Sequence, residues 1–252
     1  RLKMNWTRTI CAVTAAVLPL GTVSCGQAEP EPLYPDYTNP EEAAAIREDM
    51  KYIIHAAGRL TGVDTSGNER PYDGSNSLEG LQQCADAGCE VIEIDFNFTS
   101  DGYLACIHDW YTEYADEITN NVPLTLDEFL ECKIYRNFTP VWLGDIVDFL
   151  RENEGTYIVT DIKDDNLGGV AAIAEYAPDL KNRFIVQIYD ESEYDAVREL
   201  GFEYIVYTLY RLDWGPKVDW KALGEFSKTH PLIGFKSAGS YNHTGKWSWR
   251  SN

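Results

Sequence analysis

Short β-rich runs alternate with longer amphipathic stretches along most of this chain, and that alternation leaves few folds open. The runs are Tyr52–His55, Glu90–Phe98, Tyr103–Ile107, Tyr157–Ile162, Phe184–Tyr189 and Tyr204–Leu209, with a weaker one at Leu232–Phe235. Between them, Ser77–Ala87, Leu126–Cys132, Leu143–Glu152, Val170–Tyr176 and Glu191–Leu200 carry apolar residues at helical spacing. Strand, helix, strand in succession predicts a parallel sheet flanked by helices, because parallel neighbours need a crossover. The commonest closed form is an α/β barrel of the TIM (β/α)8 type, with its chemistry at the C-terminal ends of the strands. A length of 252 residues suits one such domain and gives no case for two.

Local signals agree with that layout. Asp101-Gly102 separates two β-rich runs and reads as a tight hairpin outside the barrel proper. Leu200-Gly201 and Glu154-Gly155 each close a helix just before a strand. The formal net charge of −20 argues against nucleic acid or an anionic bilayer face as a partner, since both need a basic surface. Any phosphate bound here must be met locally, by a cation or a few Lys and Arg side chains.

Residues 1–25 differ in kind from the rest. Arg1, Lys3 and Arg8 precede an apolar, small-residue run from Thr9 to Val23 that ends at Ser24-Cys25-Gly26. This reads as an export signal, with Arg1-Leu2-Lys3 upstream of a true start at Met4, and too short to span a bilayer comfortably. Cys25 resembles the acceptor cysteine of a bacterial lipoprotein, although Thr22 stands where such signals usually carry Leu. Residues 26–45 form an acidic, Pro-rich tether, and the barrel domain is expected over 46–252. The expected location is therefore extracytoplasmic, secreted or membrane-anchored only through Cys25. Cys84, Cys89, Cys106 and Cys132 lack zinc-site spacing and are expected either as disulfides or as buried thiols.

In Glu90–Phe98, Ile92, Ile94, Phe96 and Phe98 share one face, and Glu93, Asp95, Asn97 and Thr99 the other. Two acids two apart on one strand face converge on a hard divalent cation, which prefers oxygen ligands. His55 closes Tyr52-Ile53-Ile54-His55 before the small residues Ala56-Ala57-Gly58, and His108-Asp109 closes another apolar run. Two imidazoles on opposite sides of a phosphorus centre suit general acid and base, because their pKa lies near operating pH. In Tyr157–Lys163, Asp161 and Lys163 share a face, adding a third carboxylate and an ammonium able to meet a phosphate oxygen.

These segments together resemble the glycerophosphodiester phosphodiesterase family, a TIM-barrel group. The matching stretches are Ile54–Gly58, Ser75-Asn76-Ser77-Leu78-Glu79, Ile92–Asp95 with Thr99-Ser100-Asp101-Gly102, Ile107-His108-Asp109, and Thr160-Asp161-Ile162-Lys163. Their order and spacing agree with the family from about residue 51 to 211. The resemblance implies metal-dependent hydrolysis of a glycerophosphodiester or related phospholipid headgroup to an alcohol and a phosphomonoester. It makes His55 and His108 the acid/base pair, Glu93, Asp95 and Asp161 the ligands of Mg²⁺ or Ca²⁺, and Lys163 the phosphate contact.

The sequence also departs from the family. Asp161 stands where many members carry Glu, Ala56 replaces the Arg that commonly follows the first histidine, and Ser75 replaces a frequent Glu. Arg59 is the residue placed to compensate for the missing Arg as a substrate contact. The subset with a His-Ala-Gly-Gly-like first motif is the nearest in pattern. After Leu209 only Leu232–Phe235 and a polar tail with Trp247 and Trp249 remain, so the barrel is expected to lack one or two recognisable final strands, as a truncated or frame-shifted reading frame would. Two rivals accompany the hydrolase reading: a catalytically silent, surface-tethered binding protein, and a lyase like phosphatidylinositol-specific phospholipase C.

Overall fold

Alternating isoleucine and acid in one strand forces a question about what each face meets, and the computed structural model answers it for residues 53–209 and 219–236 and the backbone of 246–247. The export signal of 1–25, Cys25, the tether of 26–45, Tyr52 and Trp249 lie outside the described residues. In chain order the first elements are β1 (Ile53–Ile54), the hairpin β2 (Arg59–Val63) and β3 (Glu69–Asp73), α1 (Leu78–Asp86), β4 (Val91–Phe98) and β5 (Leu104–Ala105). There follow α2 (Leu126–Glu131), α3 (Leu143–Glu152), β6 (Tyr157–Ile162), α4 (Asn166–Tyr176) and β7 (Phe184–Ile188). The last are α5 (Tyr194–Glu199), β8 (Tyr204–Thr208), α6 (Trp220–Thr229), β9 (Gly234–Lys236) and β10 (Lys246–Trp247).

The main sheet runs in the order β10-β1-β4-β6-β7-β8-β9. Among the described residues, six of these strands are parallel, while β10 lies antiparallel to β1. The architecture is thus the α/β, TIM-barrel type expected, with six parallel strands described where a closed barrel has eight. Ile92, Ile94 and Phe96 of β4 join Ile158, Ile162, Ile173 and Val147 in one large apolar cluster between sheet and helices. Both faces of β4 are buried, as parallel strands require.

Helix starts are written in the sequence. Ser77 caps α1 by accepting from Gly80 N–H, Asp165 caps α4 by accepting from Gly168 N–H, and Thr125 with Glu128 forms a capping box on α2. The Asp101-Gly102 turn is a tight hairpin, as expected, with Gly102 at φ +88° and Gly102 N–H donating to Thr99 O at 3.0 Å. The expected strand Tyr103–Ile107 shrinks to β5, which pairs antiparallel with the end of β4. The chain there leaves the sheet for an excursion, residues 106–141, that builds a second small core from Ile107, Trp110, Ile118, Phe129, Ile134 and Phe138. The weak run Leu232–Phe235 is displaced to β9, two residues later.

The β2–β3 hairpin has no counterpart in the sequence reading. Gly62 and Pro71 interrupt its strands, and its side chains are mostly exposed, so it carries no apolar alternation. Asn137 of the excursion clips it: Val63 N–H donates to Asn137 Oδ1 at 2.8 Å, and Asn137 Nδ2 donates to Val63 O at 3.0 Å.

Gly80 ties this packing to the strand ends. A Cβ at that position would stand 2.7 Å from Ala57 O and 3.0 Å from Ala57 Cβ, closer than real side-chain contacts allow. Gly80→Ala is expected to destabilise the protein by about 1–3 kcal/mol through overpacking, despite alanine's better helix propensity. The check is a lower urea midpoint with the far-UV circular dichroism spectrum retained.

Candidate active site

The inner face of β4 carries Glu93 and Asp95, both buried. Buried carboxylates are tolerated only when paired, hydrogen-bonded or bound to a metal. Glu93 Oε2 accepts from Ala56 N–H at 2.9 Å, and its Oε1 accepts from Lys236 Nζ at 2.8 Å. Asp95 Oδ2 accepts from Asn76 Nδ2 at 2.8 Å, while Asp95 N–H donates back to Asn76 Oδ1 at 3.1 Å. Asp95 Oδ1 forms an ion pair with Lys163 Nζ at 2.6 Å. Register sets Asp95 directly beside Asp161 on β6, so the third expected acid falls on the same inner face.

His55 leaves β1 in a short 3-10 turn whose next three residues, Ala56, Ala57 and Gly58, all have left-handed φ values of +44°, +58° and +88°. Gly58 adopts such a φ freely, whereas Ala56 and Ala57 carry the penalty that a Cβ brings there. The turn is braced by Gly58 N–H donating to His55 O at 2.8 Å and Asn76 N–H donating to Ala56 O at 3.1 Å. His55 Nε2 lies 3.8 Å from Glu93 Oε2. His108 begins the excursion beside β4, where its carbonyl accepts from Asn97 Nδ2 at 3.4 Å. Its Nδ1 is 2.5 Å from Asp109 Oδ2, which leaves Nε2 for other partners. Both rings remain reachable, with side chains 26% and 42% exposed for His55 and His108.

Asp161 is held by two cations and a tyrosine hydroxyl. Its Oδ2 is 3.2 Å from Lys163 Nζ and 3.7 Å from Lys236 Nζ, and the buried Tyr189 hydroxyl donates to Oδ1. Burial alone would raise the Asp161 pKa, but the Lys236 and Lys163 charges outweigh it and hold the carboxyl below the usual carboxylate range. Burial likewise opposes the charge on each lysine. It is outweighed by Asp95 and Asp161 at Lys163 and by Glu93 and Asp161 at Lys236, so both stay charged. Burial and the Asp161 charge push the Tyr189 hydroxyl well above its ordinary range, keeping it a donor.

Three of these side chains were not assigned from sequence. Lys236 follows an apolar run at a strand end, the same signal that singled out Lys163, but its run was short. Asn76, at φ +46°, sits in a matched motif without a role there, and its hold on Asp95 requires the fold. Tyr189 closes its strand and bears only a hydroxyl. Arg59, expected as a substrate contact, lies on the exposed hairpin with its Nε 2.7 Å from Asp73 Oδ1, so it has an acidic partner of its own. Cys84, Cys106 and Cys132 are buried thiols, and Cys89 packs half-buried against the core.

The donors present suit a hard cation. His55, Glu93 and Asp95 each offer a ligand atom, and these atoms lie within 4.8 Å of one another. Two carboxylates and an imidazole fit a divalent ion that favours oxygen. Asp161 adjoins this group without being one of the three.

A parallel sheet that gathers three acids, two lysines and the His55 imidazole on its inner face fits a barrel-type phosphate-ester enzyme. Residues 65–210, more than half of the chain, match the Glycerophosphoryl diester phosphodiesterase family, and the chain belongs to that family. It is a phosphodiesterase by class. In fold it is similar to a glycerophosphoryl diester phosphodiesterase from Parabacteroides distasonis, at 15% identity and a TM-score of 0.53, over 77% of this chain and 67% of that one. It is also similar to a protein described under the same activity from Agrobacterium tumefaciens, at 17% identity and a TM-score of 0.52, over 73% and 74%. The curated protein sequences give no match.

Asp161 makes the network's pH dependence predictable. Its folded pKa lies below the ordinary value of 3.8, so its contribution is complete above that value and is lost as pH falls toward the folded pKa. In cation-free buffer, Asp161→Asn is expected to cost about 3–5 kcal/mol at pH 7, because it leaves buried ammonium groups short of a partner. The difference in urea midpoint between wild type and variant should narrow once the pH drops below about 4.

Proposed function

We propose that this enzyme hydrolyses a glycerophosphodiester, or a related phospholipid headgroup diester, with the help of a divalent cation and two imidazoles. The observation that carries the reading is the convergence of Glu93, Asp95 and His55 within one ion's reach. Charge supports it: Glu93, Asp95 and Asp161 against Lys163 and Lys236 leave one negative charge uncompensated when the imidazole is neutral. A diester monoanion would be repelled by that site and attracted once a divalent cation is added.

In this reading Glu93 and Asp95 hold Mg²⁺ or Ca²⁺ beside His55, and Asp161 completes the local charge through the lysines. A cation bound there would polarise the phosphoryl oxygen and lower the pKa of a bound hydroxyl or water. His108 keeps its Nδ1 proton on Asp109 and presents Nε2 for proton transfer, with His55 as the second imidazole. One ring takes the nucleophile's proton and the other protonates the leaving alkoxide. Lys163, pinned by Asp95 and Asp161 and 17% exposed, directs an ammonium at a phosphate oxygen. The sequence of residues 1–25 supports an extracytoplasmic location with Cys25 as a lipid anchor, while the bulk charge speaks against nucleic acid as a partner. No observation favours the lyase or the binding-only reading over hydrolysis.

The test is hydrolysis of glycerophosphocholine followed by phosphomonoester release, with and without EDTA. Activity should vanish on chelation and return with Mg²⁺ or Ca²⁺. His55→Ala and His108→Ala should each lower kcat by about 10²- to 10⁴-fold. Turnover that survives both chelation and His55→Ala would overturn the scheme.

A further inference from the structure

Lys236 ends β9 with its side chain only 3% exposed, too deep to meet a substrate in the mouth. The proposed chemistry gives it no task. Its ammonium nevertheless reaches 2.8 Å from Glu93 Oε1, across 143 residues of sequence, and 3.7 Å from Asp161 Oδ2. Thr208 on β8 is its register partner, so the side chain enters from the last described parallel strand, four places along the sheet from β4, which carries Glu93. A lysine buried this far is retained at a large desolvation cost unless its partners need it.

The partners it chooses divide the cluster in two. With Oε1 on Lys236, Glu93 is left with Oε2 toward Ala56 N–H and His55 Nε2, at 2.9 and 3.8 Å. Which oxygen of Glu93 faces the His55–Asp95 group is therefore fixed from behind. Asp161 meets the same lysine, its Oδ2 lying 3.2 Å from Lys163 Nζ and 3.7 Å from Lys236 Nζ while its Oδ1 accepts from Tyr189.

We propose that Lys236 is a positioning residue that serves as the resident cation of the acid cluster. It joins Glu93 to Asp161 while no divalent ion is bound, aims one Glu93 oxygen at His55 and Asp95, and weakens divalent-ion binding so that the ion exchanges readily. The inference rests on the reading that a divalent cation binds at Glu93 and Asp95. It differs from a purely structural role in one respect: a structural lysine would change stability alone, whereas a resident cation opposes the ion directly by charge.

Lys236→Gln removes the charge and keeps a donor for Glu93. Calorimetric titration of the full chain with MgCl₂ and with CaCl₂ reads the ion's affinity without requiring turnover. The variant is expected to bind at least one of the two ions about tenfold or more tightly than wild type, and to gain more in Tm on saturation. A variant unfolded in EDTA but restored by the ion, as judged by circular dichroism, gives the same support. Equal affinities in wild type and variant, or a variant that stays unfolded in saturating ion, would overturn the role of Lys236 while leaving the metal reading standing. A wild type that binds neither ion would instead remove the metal reading and this inference with it.

Discussion

Five acidic and basic side chains share the interior at the strand ends, and the arrangement around them is governed by the cost of putting them there. An isolated carboxylate or ammonium loses many kcal/mol on leaving water, so Glu93, Asp95 and Asp161 are tolerable only with Lys163 and Lys236 set between them. The partners come from β4, β6 and β9 and the residue just beyond β6. The ion pairs therefore exist only when the sheet has curled, and the site and the fold form cooperatively. Asn76, from a left-handed backbone, binds Asp95 through its side chain and the His55 turn through its N–H.

His55 depends on the same constraint of position. β1 is only two residues long, so the strand by itself does little to aim the histidine at its end. Aim comes instead from the left-handed Ala56-Ala57-Gly58 turn, held by Glu93 on one side and Asn76 on the other. A branched or long side chain at 56 or 57 would raise the cost of those φ values. Close packing of α1 at Gly80 then fixes the turn from beneath. The smallness of Ala56 and Gly58 is thus a backbone requirement, apart from any ligand that approaches them.

The sequence disclosed those parts of this arrangement that lie along one strand or one turn. Glu93 and Asp95 were readable because a period of two fixes their common face, and Asp161 and Lys163 were readable for the same reason. Helix α3 was predicted at its observed bounds, Leu143–Glu152, because its apolar stripe is uninterrupted. What stayed hidden is non-local. Lys236 acquires meaning only beside Glu93, and the three residues of β9 are too few to show a period. The β2–β3 hairpin is stabilised by Asn137 from another segment, not by its own apolar pattern. The diversion of Asp161 to the lysines could not be read either, since register gives its neighbours but not which oxygen each neighbour claims.

The two imidazoles ride on different supports. His55 is anchored to the large core beneath the sheet, whereas His108 opens an excursion with a small core of its own and touches β4 through Asn97. The strongly negative chain gives an anionic diester no long-range help, and bulk charge repels it. Attraction must then be generated within the site itself, over distances shorter than the screening length. Two lysines face three acids there, and in the proposed reading a divalent ion would be the increment that turns repulsion into binding.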